Sequence, residues 1–507
     1  MAAMTSSSKL TRRDALRIMG GVAAASPLSA LLGASQGSPP RQAPNVLVFL
    51  TDDQRHDSLS AAGHRILKTP NMDRIASGGI RFGEAFCTNA LCAPSRATML
   101  TGVYSHVHGV VSNGDGPVYR NQPGLRHDQL TFVHFLRQAG YRTAVVGKWH
   151  IPSMPAGFDD WAILPGQGVY VDPEMIVNGT RLKFRGHVDD VVGDQALAIL
   201  RSRPRDRRFC LLCHFKSPHR AWVPAPKYEH AFDDIEIPEP ATFNDTLEGR
   251  PAAVRQHDLA VATMPDFRER GVSPALPPDE RKRRNFQAMV KNIYRVLLSV
   301  DENVGRVLDY LDKEGLAENT VVLYASDNGF FHGEHGFFDK RLMYEPSIRV
   351  PMLLRFPARL KPGQVDSTHM VLNTDVAPTM LALCGLPVPV WMQGRSVVPL
   401  LESGPAPWRD AFVYEYFEYP ASHCIRKNRG VRTGRWKLIQ YWEQPEEWEL
   451  YDLKADPDEV RNLASAPEHA KQRQLLQAML ERMRREIGSV DPPGPAPFAG
   501  GCQRAGG

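Results

Sequence analysis

Asn45-Val46-Leu47-Val48-Phe49-Leu50 is an unbroken apolar run that leads directly into Thr51-Asp52-Asp53. A short continuous run of this kind predicts a strand buried on both faces, as in parallel sheets. Two carboxylates at its end are costly to hold together without a cation, and that edge is where open α/β sheets bind ligands. The arrangement recurs along the chain. Arg142-Thr143-Ala144-Val145-Val146 runs into Gly147-Lys148-Trp149-His150, and residues 209–215 run into Lys216-Ser217-Pro218-His219-Arg220-Ala221-Trp222. Thr320-Val321-Val322-Leu323-Tyr324-Ala325 runs into Ser326-Asp327-Asn328-Gly329. Helical patterns lie between these runs. Thr131 caps one with Phe132, Val133, Phe135 and Leu136 inward and Gly140 past its end, and residues 188–202 form another. A third carries the stripe Met289, Ile293, Val296, Leu297, Val300, Val304, Val307, Leu308 and Leu311. Strand, helix and strand with charged residues at the strand ends predict an α/β fold, a large mostly parallel sheet flanked by helices with its site along one edge.

Outward from this frame, residues 351–356 predict a further strand and 375–384 a helix closed by Gly385. The Pro-rich, charged stretch 223–278 reads as a long insertion over the sheet edge. Past Pro405 the pattern changes to aromatic alternating runs at 411–417, 430–433 and 436–441, which predict a small antiparallel sheet with a terminal helix over 467–485. The expected domains are a signal and linker at 1–40, a catalytic α/β domain at 41–404, a C-terminal α+β subdomain at 405–490 and a disordered Pro- and Gly-rich tail at 491–507.

The 507 residues are enough for one large domain plus a smaller one. A formal charge of +5 is small for this length. The basic runs 201–208 and 281–284 lack interleaved aromatics, so they read as solvated faces and no nucleic-acid partner is expected. Thr11-Arg12-Arg13-Asp14-Ala15-Leu16-Arg17 precedes an uncharged run over 18–40, as in a twin-arginine export signal, although Ala15 stands where a bulky aromatic is usual. Gly20-Gly21, Pro27 and Gly33 make that run a poor membrane span. The expectation is a periplasmic or secreted protein, partnered in transit by the twin-arginine translocase, with no stable membrane span. Seven cysteines are too few and too scattered for a disulfide scaffold. Cys210 and Cys213, three apart on a strand, point to opposite faces and are expected to be structural.

Cys92-Ala93-Pro94-Ser95-Arg96 followed by Ala97-Thr98-Met99-Leu100-Thr101-Gly102 stands apart from the strands. Pro94 is expected to open a helix, placing Cys92 just outside the first turn, where backbone N–H groups face an anion and Arg96 lies near. Alone, a packed thiol is the simpler reading. The other strand ends reverse it.

Together these stretches resemble the sulfatase family of the alkaline-phosphatase superfamily over nearly the whole mature chain. The resemblance rests on Cys-x-Pro-Ser-Arg…Leu-Thr-Gly at 92–102, Gly147-Lys148-x-His150, Ser217-Pro218-His219, and Asp327-Asn328-Gly329 continuing through Gly333-Glu334-His335-Gly336 to Lys340. It implies that Cys92 is converted to Cα-formylglycine by a separate formylglycine-generating enzyme. One hydroxyl of the hydrated aldehyde would attack sulfur and expel the sugar alcohol, and the other would eject sulfate. Asp52, Asp53, Asp327 and Asn328 match the family's metal positions, and an all-oxygen set suits Ca²⁺. The resemblance further implies that Arg96 and Lys148 stabilise the formylglycine and that Lys148 and Lys340 contact sulfate. It makes His219, helped by Lys340, the donor to the leaving oxygen, gives the elimination to His150, and makes Asp327 the base at the attack step. The stretches 217–222, 244–250 and 337–345 look most like N-acetylglucosamine-6-sulfatases and mucin-desulfating sulfatases, which implies a sulfated glycan substrate. Arg220 and Trp222, with His423, Arg426 and Arg429 where the small subdomain could close the pocket, are candidate substrate contacts. Two alternatives stay open: a formylglycine-dependent phosphonate or phosphodiester hydrolase, and a non-catalytic sulfated-glycan-binding relative.

Overall fold

Hydrogen bonding carries the strand Asn45–Thr51 into the middle of a ten-stranded sheet. It pairs in parallel with Thr320–Ser326 on one side and Phe209–His214 on the other, and Arg142–Lys148 and Asp160–Leu164 continue the parallel set. Met352–Arg355 enters antiparallel beside Thr320–Ser326, followed by Ile80–Phe82 and Gln364–Asp366, while Glu174–Val177 and Thr180–Lys183 close the far edge. The computed structural model describes residues 43–114, 121–126, 128–402, 406–443 and 445–490. The expected export signal, the tail from 491, Cys502 and the boundary at 404/405 lie outside them.

Alternation within the central strand explains its uniform hydrophobicity. Val46, Val48 and Leu50 pack into one core, with the Cys92 helix and the helices Phe132–Gln138 and Val376–Leu383. Leu47 and Phe49 pack into the other, against the helices Val188–Ser202 and Pro278–Lys313. Both faces are therefore buried from Val46 to Leu50, and the one polar residue before Thr51, Asn45 at the strand's start, accepts from the Phe209 N–H at 3.1 Å. Cys210 joins the first core and Cys213 the second, both as free thiols, as their spacing predicts.

The C-terminal sheet follows the same logic, with apolar residues on both faces. Its strands Ala411–Tyr416, Asn428–Thr433, Trp436–Tyr441 and Glu447–Asp452 are antiparallel in that order. Val413, Val431, Leu438 and Leu450 pack with Leu476 and Leu480 of the helix Ala470–Glu486. Phe412, Tyr414, Tyr416, Ile439, Tyr441 and Tyr451 face the other way and join the main core. The described residues accordingly form one compact unit. Among the described residues no helix is long and apolar enough to cross a membrane.

The Cys92 helix spans Cys92–Thr101, and all ten of its residues are buried. Leu91, in extended conformation, flanks it, so Cys92 is the first helical residue and Pro94 the third, not the opener. Proline is tolerated throughout a first turn because those N–H groups have no intrahelical partner. Gly102, at φ 72°, ends the helix. His108 braces it from below: its Nδ1 accepts from the Val110 N–H at 3.1 Å while Nε2 lies 3.0 Å from Thr98 Oγ1. The Val110 donor leaves no room for a proton on Nδ1, and burial pushes the ring down to about 3. Its folded value thus lies below its ordinary 6.5, so the unfolded chain binds the extra proton and stability falls as pH drops from about 6.5 toward 3. For this group the slope is about 1.4 kcal/mol per pH unit within that window. Urea midpoints measured between pH 7 and pH 5 should fall for the native chain, and His108→Gln should remove part of that slope; an unchanged slope would refute the assignment.

Candidate active site

Four strand ends converge on the Cys92 helix. Asp52 and Asp53 follow Thr51, Lys148 is the last residue of its strand, His219 lies on the turn after Phe209–His214, and Asp327 and Asn328 follow Ser326. Lys148 reaches its place because Gly147 precedes it at φ +93°, where a Cβ would lie 1.8 Å from the His214 carbonyl oxygen. No residue with a side chain fits there.

Cys92 Sγ lies 3.3 Å from Asp52 Oδ1 and 3.9 Å from Asp53 Oδ1, and Lys340 Nζ donates to it at 3.2 Å. Lys148 Nζ pairs with Asp52 Oδ2, and Lys340 Nζ with Asp53 Oδ1. Arg96, four residues along the helix, points back toward its N-terminus, as helical side chains do. Its Nε donates to Asp327 Oδ2 at 2.8 Å and its Nη1 to the Lys148 carbonyl at 2.6 Å, while Nη2 is 3.8 Å from Asp52. His219 Nε2 faces Asp53 Oδ2 at 3.9 Å. His150, at φ 60°, has a buried Nδ1 with no hydrogen-bond partner. Asp52, Asp53, Cys92, Arg96, Lys148, Asp327 and Lys340 are all buried, which strengthens their mutual fields, while His150 and His219 are partly exposed.

The charges are not matched one to one. Burial would raise Asp52, but Lys148, His219, Arg96 and Lys340 hold it well below the usual carboxylate range. Asp53 is raised by burial and by its neighbour Asp52 despite Lys340. Asp327 is pushed up to about 7 by burial and by Asp52. Burial and Asp52 also push the Cys92 thiol up, so it holds its proton and is a poor nucleophile as a thiol.

Carboxylate oxygens of Asp52, Asp53 and Asp327 approach within 4.8 Å of one another. Beside them Asn328 Nδ2 donates to Asp53 Oδ1 at 2.7 Å, and Asn328 Oδ1 is buried with no hydrogen-bond partner. Three crowded carboxylates and an orphaned amide oxygen make a donor set made wholly of oxygen. It fits a hard cation such as Ca²⁺ in both charge and ligand type.

The outer candidates divide. Arg220 forms a two-pronged pair with Asp266 at 2.5 and 2.7 Å and lies over the Phe338 ring. His423 Nδ1 is 2.9 Å from Asp258, and its Nε2 is 3.5 Å from Asp339, the residue before Lys340. Asp266 and Asp258 both come from the 223–278 stretch, which packs inward through Phe243, Leu259, Val261 and Phe267. Trp222 corrects the expectation of a substrate contact. It is fully buried, stacked on Phe267 and edge-on to Phe330, because the indole contributes more as core than as an exposed surface. Arg426 is likewise engaged elsewhere, with Glu447 at 2.6 Å and the Glu443 and Pro445 carbonyls, so it does not face the pocket of Cys92. Arg429 pairs with Gln440 and lies over Trp442. His335 meets Asp245 at 2.7 Å and serves as a latch for the insertion.

A family model described as Sulfatase matches residues 44–386, and one described as N-sulphoglucosamine sulphohydrolase, C-terminal, matches 333–486. The chain belongs to the sulfatase family. It is an enzyme that hydrolyses sulfate esters. The sulfatase is 38% identical to an N-acetylglucosamine-6-O-sulfatase of Bacteroides thetaiotaomicron over 92% of this chain and 91% of that one. It is 30% identical to the human N-acetylglucosamine-6-sulfatase over 83% of this chain and 81% of that one. A solved structure in complex with its substrate D-glucosamine-2-N,6-O-disulfate superposes with a TM-score of 0.81 at 37% identity, covering 89% of the sulfatase and 99% of that chain.

Several contacts that shape this sulfatase site have no sequence signal of their own, even where one partner, Ser95, lies in the Cys92 motif. Ser95 Oγ donates to the Asp327 carbonyl at 2.5 Å and accepts from Asn373 Nδ2 at 2.8 Å. Asn113 Oδ1 accepts from the Ala93 N–H at 3.0 Å, and His214 Nδ1 lies 3.2 Å from the Lys148 carbonyl. Each is a common polar residue whose partner is distant in sequence, so only the fold reveals it.

Proposed function

We propose that this sulfatase removes the 6-O-sulfate of N-acetylglucosamine in sulfated glycans, using Cα-formylglycine made from Cys92 and a Ca²⁺ held by Asp52, Asp53, Asp327 and Asn328. The observation that carries the catalytic part is the pairing of a buried, protonated Cys92 thiol with a full set of charged partners around it. A thiol in that state does no chemistry at neutral pH, yet the surrounding groups are placed for a reactive centre. Conversion of the thiol to an aldehyde by a formylglycine-generating enzyme reconciles the two. The substrate part is supported by the two N-acetylglucosamine-6-sulfatases and the glucosamine disulfate complex among its relatives.

When bound, Ca²⁺ would neutralise sulfate oxygens and favour ionisation of the attacking hydroxyl. The chain's own residues supply the rest. Lys148 and Lys340, already at the Cys92 side chain or its nearest carboxylates, draw the sulfate anion in and offset charge developing on it. Arg96 fixes Asp327 and the Lys148 backbone in one fork. His219 gives a proton to the departing sugar oxygen, and the entering anion favours its charged ring against burial and Lys148, which press it toward the neutral form. The twin-arginine pattern at the N-terminus supports export to the periplasm or beyond as a folded protein.

Sulfate release from 6-sulfated N-acetylglucosamine is expected to exceed that from 4-sulfated N-acetylgalactosamine and 2-sulfated uronic acid. Preference for either of the latter would overturn the substrate assignment. Dialysis against a calcium chelator should remove activity and added Ca²⁺ restore it, whereas activity indifferent to the chelator would remove the metal from the reading.

A further inference from the structure

The turn that carries His219 is held from outside the sheet by a segment whose sequence gives no sign of a catalytic part. Residues 165–173 connect the strands Asp160–Leu164 and Glu174–Val177, and part of this connection reaches across to the turn. Tyr170, 4% exposed, donates its hydroxyl hydrogen to the His219 carbonyl at 2.5 Å. Lys216 ties the same two pieces together: its Nζ donates to the Gln167 carbonyl at 3.0 Å and lies 4.9 Å from the centre of the Tyr170 ring. The Tyr170 ring also meets the His187 ring at 5.6 Å, and its own carbonyl accepts from the Val188 N–H at 2.7 Å. The phenol is clamped at each end.

The rest of the turn is equally constrained. The His219 N–H donates to the Lys216 carbonyl at 3.1 Å, the Ser217 carbonyl accepts from the Asp52 N–H at 3.1 Å, and Ser217 Oγ donates to buried Asp189. The His219 ring donates from Nδ1 to the Arg220 carbonyl at 2.5 Å, which leaves Nε2 to face the site, 3.9 Å from Asp53 Oδ2. The carbonyl that orients the ring is that of Arg220, one peptide unit beyond the one whose carbonyl Tyr170 holds. By fixing the His219 carbonyl, the Tyr170 hydroxyl fixes the peptide from which that acceptor follows.

We propose that Tyr170 is a positioning residue for proton donation by His219 to the leaving oxygen, an inference that rests on the role given to His219 above. As the S–O bond breaks, the proton on Nε2 passes to the departing oxygen, the alcohol leaves neutral and the ring becomes neutral. Tyr170 takes no part in that transfer; it holds the donor at the distance the transfer needs, and small misplacements of such groups are costly.

The role is separable from a packing role by the leaving group. A sugar alkoxide needs the proton, whereas a nitrophenolate leaves without one. In the full-length, metal-replete enzyme, Tyr170→Phe should lower kcat for a 6-sulfated sugar about 10- to 100-fold, up to the loss that a misplacement of about 1 Å causes. It should leave KM, and turnover of 4-nitrophenyl sulfate, within about threefold of the unaltered enzyme. His219→Ala, assayed alongside, should show the same selectivity with a larger loss. Equal losses on both esters for Tyr170→Phe, or no loss on either, would overturn the inference while His219→Ala remained selective. If His219→Ala is itself unselective, the proton-donor role falls first and this inference with it.

Discussion

Cys92→Ala is expected to lower sulfate-ester turnover by at least about 10⁴-fold, the scale on which enzymes lose rate when the residue bearing the reactive group is removed. The melting midpoint should hardly move. Cys92 is fully buried, but the substitution removes a single sulfur atom from the first turn of a helix whose other nine residues are also buried. Lys340 keeps Asp53 and Lys148 keeps Asp52, so no charge is orphaned. A large loss of rate with an intact fold therefore separates Cys92 from the scaffold around it. Mass spectrometry of the tryptic peptide containing Cys92, from protein made in its own host, supplies the independent check: an aldehyde in place of the thiol is expected. Active enzyme carrying only unmodified thiol, or an alanine variant that still releases sulfate, would sink the formylglycine reading.

The parts of this site that were legible in the sequence are those where the local pattern and the place in the sheet coincide. Val46 to Leu50 form a continuous apolar run because both faces of the strand are buried, and the run stops at Asp52 because the sheet ends there and the ligand edge begins. The same coincidence marks Lys148, His219 and Asp327. Where the two part, sequence reading loses its grip. The strand Met352–Arg355 has the same apolar look whichever way it runs, and only its pairing with Thr320–Ser326 shows it to be antiparallel. Trp222 sits in a motif beside His219, yet its neighbours Phe267 and Phe330 come from 45 and 108 positions away and make it core. Arg426 and Arg429 read as loop charge near a cleft, but Glu447 and Gln440 neutralise or occupy them within their own sheet. Pro94 signals a helix N-terminus without fixing which of its first three positions it takes. Supporting contacts such as Asn373 to Ser95, 278 residues apart, leave no periodicity at all.

The joint between the two sheets is the second place where one substitution should have a large effect, this time on stability. Lys437→Met is expected to cost about 3–5 kcal/mol, the penalty for stripping one partner from a buried ion pair. Lys437 on the strand Trp436–Tyr441 is fully buried, with its Nζ 2.6 Å from Glu459 Oε1 and 2.9 Å from Glu345 Oε1. Glu345 opens the short helix Glu345–Ile348, five residues after Lys340, and its N–H donates to Glu459 Oε2 at 2.7 Å. One ammonium thus joins the small sheet to the segment that leads from the active site. Burial alone would raise Glu345, but Lys437, Arg432 and Arg349 hold it well below the usual range, whereas Glu459 is raised by burial despite Lys437. Methionine keeps the packing of the stem and removes only the charge, so Glu345 retains its arginines while Glu459 is left without a cation. The loss should appear as a lower urea midpoint, and adding Glu459→Gln to Lys437→Met should recover part of it, since the orphaned charge is then gone. A single-variant cost below about 1 kcal/mol, in the range of an exposed pair, would mean that water already reaches this joint and that the sheets are held by their aromatic faces instead.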